Sequence, residues 1–373
     1  MSKSTMVRLG DVCDILDHMR IPITESDRKK GIYPYYGANG IQDYIDDYIF
    51  DDDLVLLAED GGNFSSKVKP IAYRVTGKCW VNNHAHVLKP KKNLNVGYLC
   101  YSIMFYDVIP LINGTTRAKL NQAAVRKMLI PLPSLIKQHK IAANLDKTNE
   151  LITERKQQLE KINLLVKSRF IEMFGDPLTN PMGWEVGKIR DIAHEVKYGT
   201  SRPAVESGKY KYLRMNNITY DGQLDLTNLK HIDIPDNEVD KCAVRNGDIL
   251  FNRTNSKELV GKTCVYNLDE LMIIAGYIIR IRVNNRVVPL YLSTVLNSEY
   301  GKATLRDIAK SIIGQANINA QELQRIRLPL PPLPLQQYFA DFVRATDKMK
   351  LEIQRGLKSL EFLNSALMQK YFG

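Results

Sequence analysis

The chain has 373 residues, with 52 Lys and Arg against 41 Asp and Glu and a formal net charge of +11. This length predicts two or three domains, and its 44% hydrophobic and 25% charged residues exclude a disordered or collagen-like chain. No stretch approaches the roughly 18 apolar residues of a membrane span. The five scattered cysteines indicate reduced thiols in the cytoplasm. The positive net charge favours nucleic acid as a partner.

Residues 1–130 predict an α+β globule of short strands, including Asp53–Leu57, with the acid-rich run 43–60 as a solvated loop face. Seven Lys or Arg and no acid lie between Gly61 and Tyr106. Lys and Arg contact phosphates, whereas Asn and Arg can also bond base edges. The DNA-binding candidates are Lys67, Lys69, Asn82, Asn83, His84, Thr115, Thr116, Arg117 and Lys119. His84 and His86 would share one strand face, but no third ligand lies nearby, so no metal site is expected.

Residues 131–175 predict a long helix that starts after Pro131-Leu132-Pro133, because proline restricts both itself and the residue before it. Apolar residues recur every seven positions, which predicts a coiled-coil seam. The seam residues are Leu145, Ile152, Leu159 and Val166, with Ile162 in the companion position.

Residues 176–326 predict a second globule similar to the first. Its strand Asp248–Phe251 corresponds to Asp53–Leu57, and polar loops follow its strands. Those loops supply the DNA-binding candidates Tyr198, Thr200, Ser201, Arg214, Asn216, Asn217, Arg253, Thr254, Asn255, Ser256, Lys310, Ser311, Gln315 and Asn317. For Asn121 and Asn319, at the ends of the last loops, a helix N-cap is an equal alternative.

Residues 327–373 predict a second long helix with seam residues Met349, Ile353, Leu360, Leu363 and Leu367. Gly114–Gly175 aligns with Ile312–Gly373 at an offset of 198 without gaps, and fourteen of the 62 positions are identical. The repeat predicts two similar globules separated by two helices that pair as an antiparallel coiled coil with pseudo-two-fold symmetry. Two separate amphipathic helices are the alternative. Polar Thr148, Arg155 and Arg169, with Gly356, would fix the register.

No catalytic motif stands out. Gly261-Lys262-Thr263 lacks the first glycine of a phosphate loop, since Ser256 occupies that position. The sequence has no Asn-Pro-Pro-aromatic phrase of an amino-methyltransferase and no carboxylate constellation typical of a hydrolase. We therefore predict a non-catalytic chain. The alternatives are a self-contained DNA-processing enzyme with an unrecognised site and a coiled-coil scaffold without a nucleic-acid role.

The order of several short sequence motifs along the chain, together with the internal repeat, resembles the specificity (S) subunit of type I restriction-modification systems. The motifs are Tyr36–Gly40, Val81–His84, Gly247–Leu250, Leu259–Thr263 and Gly314–Ile318, together with the two Pro-Leu-Pro blocks that each lead to a Gln and a long helix. The resemblance covers essentially the whole chain. Gly114–Leu120 departs from the Gly-Gln-Ala-Asn-Ile form of the second copy.

The resemblance implies two target recognition domains, each binding one half of a split double-stranded DNA site, and helices that set the distance between the halves. It adds Tyr36, Asn39 and Lys262 to the DNA-binding candidates. It also implies two methyltransferase (M) subunits and restriction (R) subunits as partners. S-adenosylmethionine, ATP and Mg would bind in those partners and not in this chain.

Overall fold

The structure is a computed structural model that describes residues 5–66, 68–112, 118–312 and 315–373, with only the backbone for Ser311 and Ile312. The chain divides into two compact units. Unit 1 comprises Met1–Lys156 and Arg355–Gly373, and unit 2 comprises Gln157–Gln354. Each unit therefore holds half of each long helix. The four-segment division at residues 130, 175 and 326 stays a prediction.

Unit 1 combines short strands and helices with the first long helix. Its strands are β1 Thr5–Arg8, β2 Cys13–Ile15, β3 Lys30–Gly37, β4 Gly40–Ile45, β5 Phe50–Ala58, β6 Ala72–Val81, β7 Ala85–Pro90 and β8 Leu129–Leu132. Its helices are α1 Leu9–Val12, α2 Val96–Ile103, α3 Gln122–Lys127 and α4 Leu135–Phe174, of which the last continues into unit 2.

The main sheet of unit 1 has the order β2-β7-β5-β6-β3-β4. Successive side chains of a strand point to opposite faces, and β5 is buried on both. Val55 and Leu57 pack with α1 to α4, whereas Leu54 and Leu56 join a second core with Val75 and Val87. The predicted strand Asp53–Leu57 is confirmed. The acid-rich run 43–60 is not a loop face, because β4 and β5 occupy most of it.

Unit 2 has more and shorter strands. They are β9 Val186–Lys188, β10 Ala193–Tyr198, β11 Tyr210–Leu213, β12 Lys230–Ile232, β13 Ala243–Val244, β14 Ile249–Asn252, β15 Thr254–Asn255, β16 Thr263–Val265, β17 Met272–Ile274, β18 Ile278–Val283, β19 Lys310–Ile312, β20 Gln315–Asn317 and β21 Arg327–Pro329. Its helices are α5 Ile189–Ile192, α6 Asp236–Cys242, α7 Pro289–Asn297, α8 Glu299–Ile308, α9 Ala320–Gln324 and α10 Leu333–Phe372, of which the last continues into unit 1.

The two units share a sheet order. The antiparallel order β10-β18-β14-β16 in unit 2 corresponds to β2-β7-β5-β6 in unit 1. In unit 1 the long β6 also pairs with β3 in parallel. In unit 2 the parallel partner of β11 is a separate strand, β17, within the sheet β12-β11-β17-β13. The internal repeat therefore extends into the globules, where no gap-free alignment shows it.

A buried glutamine joins each globule to its long helix. Gln138 is fully buried, accepts from the Asn95 amide at 2.9 Å and donates to the carbonyls of Asn93 and Pro133. Gln336 repeats the arrangement with the Val288 amide and the carbonyls of Arg286 and Pro331. These bonds satisfy loop backbone groups that cannot reach water.

We expect Gln336→Leu to lower the free energy of unfolding of unit 2 by about 1–3 kcal/mol, because it leaves buried backbone groups without partners. The chain has two tryptophans, Trp80 in unit 1 and Trp184 in unit 2. Urea unfolding of a Trp80→Phe background, followed by Trp184 fluorescence, measures the loss. Gln138→Leu in a Trp184→Phe background is the matched control for unit 1. An unchanged Trp184 midpoint in Gln336→Leu would contradict the assignment.

Asn121 and Asn319 are helix N-caps. The Asn121 side chain accepts from the Ala124 amide at 2.8 Å, at the start of α3. Asn319 accepts from the Gln321 and Glu322 amides at the start of α9, and the Glu322 carboxylate accepts from the Asn319 amide. Of the two alternatives for these residues, the N-cap is confirmed.

The long helices pair antiparallel within each unit. In unit 1, Asn149 contacts Asn364 and Lys156 contacts Glu361, so residue numbers rise along α4 as they fall along α10. In unit 2, the rings of Phe170 and Phe174 lie 5.6 and 5.4 Å from that of Phe339. The alternative of two unpaired helices is wrong.

The predicted seam residues of α4 and α10 differ in burial. All five α4 seam residues are buried or half-buried, as are Ile353, Leu360 and Leu367 of α10. Met349 and Leu363, however, are 53% and 46% exposed. The positions equivalent to Ile152 and Val166 carry Lys350 and Asn364, which are half-buried. Apolar spacing therefore selects Met349 and Leu363, each of which directly precedes a more buried polar residue. The α+β class and the paired long helices are confirmed.

Candidate nucleic-acid interface

The turn between β6 and β7 presents one of its two asparagines. Asn82 is 3% exposed; its amide nitrogen donates to Gln42 and its oxygen accepts from the His84 amide. Asn83, at the tip, is exposed, and its side chain bonds to no described residue. We correct Asn82 from a DNA-facing candidate to a residue that shapes the turn, which leaves Asn83 available to a partner.

Two predicted cationic candidates of unit 1 face carboxylates. His84 Nδ1 lies 2.7 Å from Asp60, and Lys119 Nζ lies 2.9 Å from Glu59. Burial alone would raise the pKa of Glu59, but hydrogen bonds from Lys119 and Arg20 lower it. The Glu59 carboxylate therefore reduces the positive charge that Lys119 presents to solvent, and Asp60 occupies one ring nitrogen of His84.

His86 does not share a surface with His84, contrary to the expectation of one strand face. It is 1% exposed; Nδ1 lies 2.6 Å from Asp17 and Nε2 lies 2.7 Å from the Leu120 carbonyl. Asp17, Glu59 and His86 place potential ligand atoms within 4.8 Å of one another. Their atoms already bond to one another, to Arg20 and to Lys119, so the group is a hydrogen-bond network that ties β7 to neighbouring loops.

The other unit 1 candidates are dispersed. Tyr36 is half-buried, with its ring 5.8 Å from that of Tyr73. Asn39 links its turn to the Gly61 carbonyl and to Asn63. Lys69 is exposed in a loop. Four candidates lie outside the described residues, namely Lys67, Thr115, Thr116 and Arg117.

In unit 2, an arginine is held beside an aromatic ring. The Arg253 guanidinium carbon lies 4.8 Å from the centre of the Tyr198 ring, and Arg253 donates to the Asn317 side chain at 3.0 Å. Asn317 in turn donates to Thr254 Oγ1 at 2.8 Å, and Tyr198 Oη accepts from the Ala320 amide. The predicted residues Tyr198, Arg253 and Asn317 thus come together from the end of β10, the link between β14 and β15, and the end of β20. A guanidinium fixed in this way has less conformational entropy to lose on binding a base or phosphate.

A second group surrounds Arg214. Its guanidinium donates to the Asn228 carbonyl, and its amide donates to the Asn217 side chain. Asn217 is 2% exposed, whereas Asn216 is exposed. Lys262 Nζ donates to the Met215 carbonyl at 2.9 Å, which joins the loop between β15 and β16 to this one.

Several candidates of unit 2 position the loops. Thr200, Asn217 and Thr254 are 7%, 2% and 8% exposed and are hydrogen-bonded within the protein, so we correct them to loop-positioning residues. Asn255 bonds Asn252 and the Ser256 amide. Lys310 pairs with Glu322 at 2.7 Å, and Ser201 and Gln315 are exposed. The side chain of Ser311 lies outside the described part of the chain.

Three buried donors in or next to these loops of unit 2 have no partner among the described residues: Arg214 Nε, Asn252 Nδ2 at the end of β14, and Arg253 Nε. Buried polar groups are usually bonded, and these three are half of the six such side-chain atoms in the described residues; the others belong to Arg280, Asn297 and Asn364. The sequence predictions missed Asn252, Lys302 and Arg306. The spacing of Lys302 and Arg306, four residues apart on one helix, is the signal that could have found the last two.

A family model for the type I restriction modification DNA specificity domain matches residues 1–162 and again residues 181–361. The chain belongs to this family. The double match agrees with the internal repeat, and the recognition from the sequence is confirmed.

Two relatives illustrate the similarity of this specificity-domain chain to known proteins. A putative type I restriction enzyme specificity subunit of Haemophilus influenzae is 40% identical over 146 residues, or 39% of this chain and 37% of that protein. The putative MjaX specificity subunit of Methanocaldococcus jannaschii is 30% identical over 196 residues, or 52% of this chain and 46% of that protein. The matches thus span less than half of each relative.

A solved structure shows the same fold. The S subunit of a type I system from M. genitalium superposes with a TM-score of 0.67 at 15% identity, over 99% of this chain and 96% of that one. In the described part of this chain, no helix combines the length and apolar character needed to cross a bilayer.

Proposed function

We propose that this chain is the DNA-recognition subunit of a type I restriction-modification complex. Each unit would bind one half of a split double-stranded DNA site, and the long helices would set the gap between the halves. Adenine methylation and ATP-dependent cleavage would reside in two M subunits and in R subunits. S-adenosylmethionine, ATP and Mg would accordingly bind in those partners.

The observation that carries the proposal is the duplication of one structural plan. Both units have the same four-stranded antiparallel order and the same glutamine that anchors a long helix. A repeat of this kind has approximate two-fold symmetry, which suits two identical partner subunits. Binding both half-sites at once would raise affinity above that of either unit. The five cysteines are free, which supports action in the cytoplasm.

A footprint tests the proposal. The full chain with its M subunits should protect two short DNA elements separated by an indifferent gap. One continuous recognition element would contradict it. Purified chain incubated alone with plasmid and Mg²⁺ should leave the DNA intact, whereas cleavage would favour a self-contained enzyme.

We expect Arg253→Ala to relax specificity only in the half-site bound by unit 2, at a cost of about 1–3 kcal/mol for the correct base. Asn83→Ala is the matched change in unit 1 and should affect only the other half. Binding to duplexes substituted one base pair at a time measures both. A uniform, salt-dependent loss across all duplexes would assign the residue to a phosphate instead.

A further inference from the structure

A small cleft in unit 2 is lined by three cations. Lys262 lies in the loop between β15 and β16, and Lys302 and Arg306 lie one turn apart on α8. Tyr220, Val260, Gly261 and Glu258 complete the lining. The cleft adjoins the Arg214 loop, because Lys262 bonds the Met215 carbonyl and Lys302 bonds the Tyr220 carbonyl.

Gly261 brings the loop and the helix together. Its φ of +85° lies in the left-handed region, where glycine is favoured. A Cβ at this position would lie 2.6 Å from Leu305 Cδ1. Leu305 is a buried residue of α8 and lies between Lys302 and Arg306 in the sequence. The glycine of the Gly261-Lys262-Thr263 phrase therefore allows close packing that sets Lys262 beside the two cations of the helix.

The three cations of the cleft have no carboxylate partner among the described residues, unlike several other cations of this unit. Arg202, Lys209 and Lys211 each pair with an acid at 2.7–3.0 Å. Lys262 and Lys302 each donate one bond to a backbone carbonyl, and Arg306 forms neither an ion pair nor a hydrogen bond with any described residue. An ammonium has three donors, so most donors of the cleft are available to an anion.

The remaining features of the cleft are compatible with an anion. Lys302 Nζ lies 3.3 Å from the centre of the Tyr220 ring, which holds it in place. Burial lowers the pKa of Lys262, so an adjacent negative charge would stabilise its ammonium form. Glu258 is the carboxylate of the cleft; hydrogen bonds from its own amide and from Ser256 lower its pKa. One carboxylate against three cations leaves a net positive cleft.

We propose that Lys262, Lys302 and Arg306 bind one backbone phosphate of the DNA held by unit 2. The inference rests on the proposed function and deepens it, because it makes α8 a phosphate-contacting element. The contact would fix the position of the DNA on the unit and would carry no base preference.

The test compares the full chain with the double variant Lys302→Gln/Arg306→Gln on the split-site duplex and on an unrelated duplex. Each phosphate contact contributes a slope of about 0.9 to the dependence of log affinity on log salt. Between about 50 and 200 mM salt, the double variant should therefore lose about threefold less affinity than the wild type, equally on both duplexes. Arg306→Lys should keep the wild-type slope.

Lys209→Gln is the matched control, because Lys209 is 60% exposed and paired with Asp236. It removes one charge and should leave the slope unchanged. Trp184 unfolding should give the same midpoint for all variants, which separates binding from folding. A double variant with the wild-type slope, or one that loses affinity only for the split site, would overturn the inference. A wild type without preference for any split site would instead overturn the proposed function.

Discussion

A heptad inserted into both long helices should lengthen the gap between the two DNA half-sites by about three base pairs and leave the half-sites themselves unchanged. Seven helical residues add about 10.5 Å, which is about three base-pair steps of 3.4 Å. A whole heptad also keeps the seam in step, whereas other lengths rotate the seam residues away from their partners. The effect follows directly from the proposal that the helices set the gap.

The insertions belong after Lys156 in α4 and after Arg355 in α10, because a Cβ on Gly356 would lie 3.9 Å from Arg155 Nε and the two sites therefore face each other. Selection of bound duplexes from a randomised pool gives both half-sites and gap. A heptad in α4 alone, which puts the seams out of step, should lose split-site binding. An unchanged gap, or altered half-sites, in the doubly extended chain would contradict the proposal.

Glu195→Gln should lower the free energy of unfolding of unit 2 by about 3–5 kcal/mol, because it leaves a buried arginine without its carboxylate. Arg280 is fully buried on β18 and lies 2.5 Å from Glu195, and Arg282 lies 2.9 Å from the same carboxylate. Asp248 pairs with Arg282 at 2.8 Å and does not replace Glu195, since it lies 3.9 Å from Arg280.

Glu195 also makes the stability of unit 2 depend on pH in the acid range. Burial alone would raise the pKa of Glu195, but Lys197, Arg280 and Arg282 lower it to about 2 from 4.5. A carboxyl with a lower pKa in the folded state stabilises the protein above its unfolded pKa, and the stability is lost as pH falls toward the folded value. The contribution should thus disappear between about pH 4.5 and 2, and Glu195→Gln should flatten that part of the curve.

Trp184 fluorescence in a Trp80→Phe background measures both effects. Asp236→Asn removes the exposed pair with Lys209 and should cost less than about 1 kcal/mol. A Glu195→Gln midpoint equal to that of Asp236→Asn would show that the buried pair does not stabilise unit 2.

The sequence predicts the repeat because its two copies align without gaps, and it predicts the long helices because helical periodicity is local. Apolar spacing on α10 selects the exposed Met349 and Leu363 and passes over the half-buried Lys350 and Asn364. The offset of 198 residues applied to Leu145, Ile152 and Val166 gives Val343, Lys350 and Asn364, all buried or half-buried. The repeat was thus a better guide to the register than hydrophobicity.

The sequence predicts which loops form the candidate interface better than it predicts which of their side chains face solvent. Asn82 and Asn83 are adjacent and chemically identical, yet one is buried and the other exposed. Long-range contacts, such as that of Asn82 with Gln42, decide which of them faces solvent. The same holds for the cleft, where Lys262 meets Lys302 and Arg306 through the packing of Gly261 on Leu305.

Selection from a randomised duplex pool by the unaltered full chain with its M subunits tests whether the recognised DNA site is split. We expect two short specific elements separated by a gap of fixed length and no sequence preference. A single continuous element, or no enriched sequence, would contradict it.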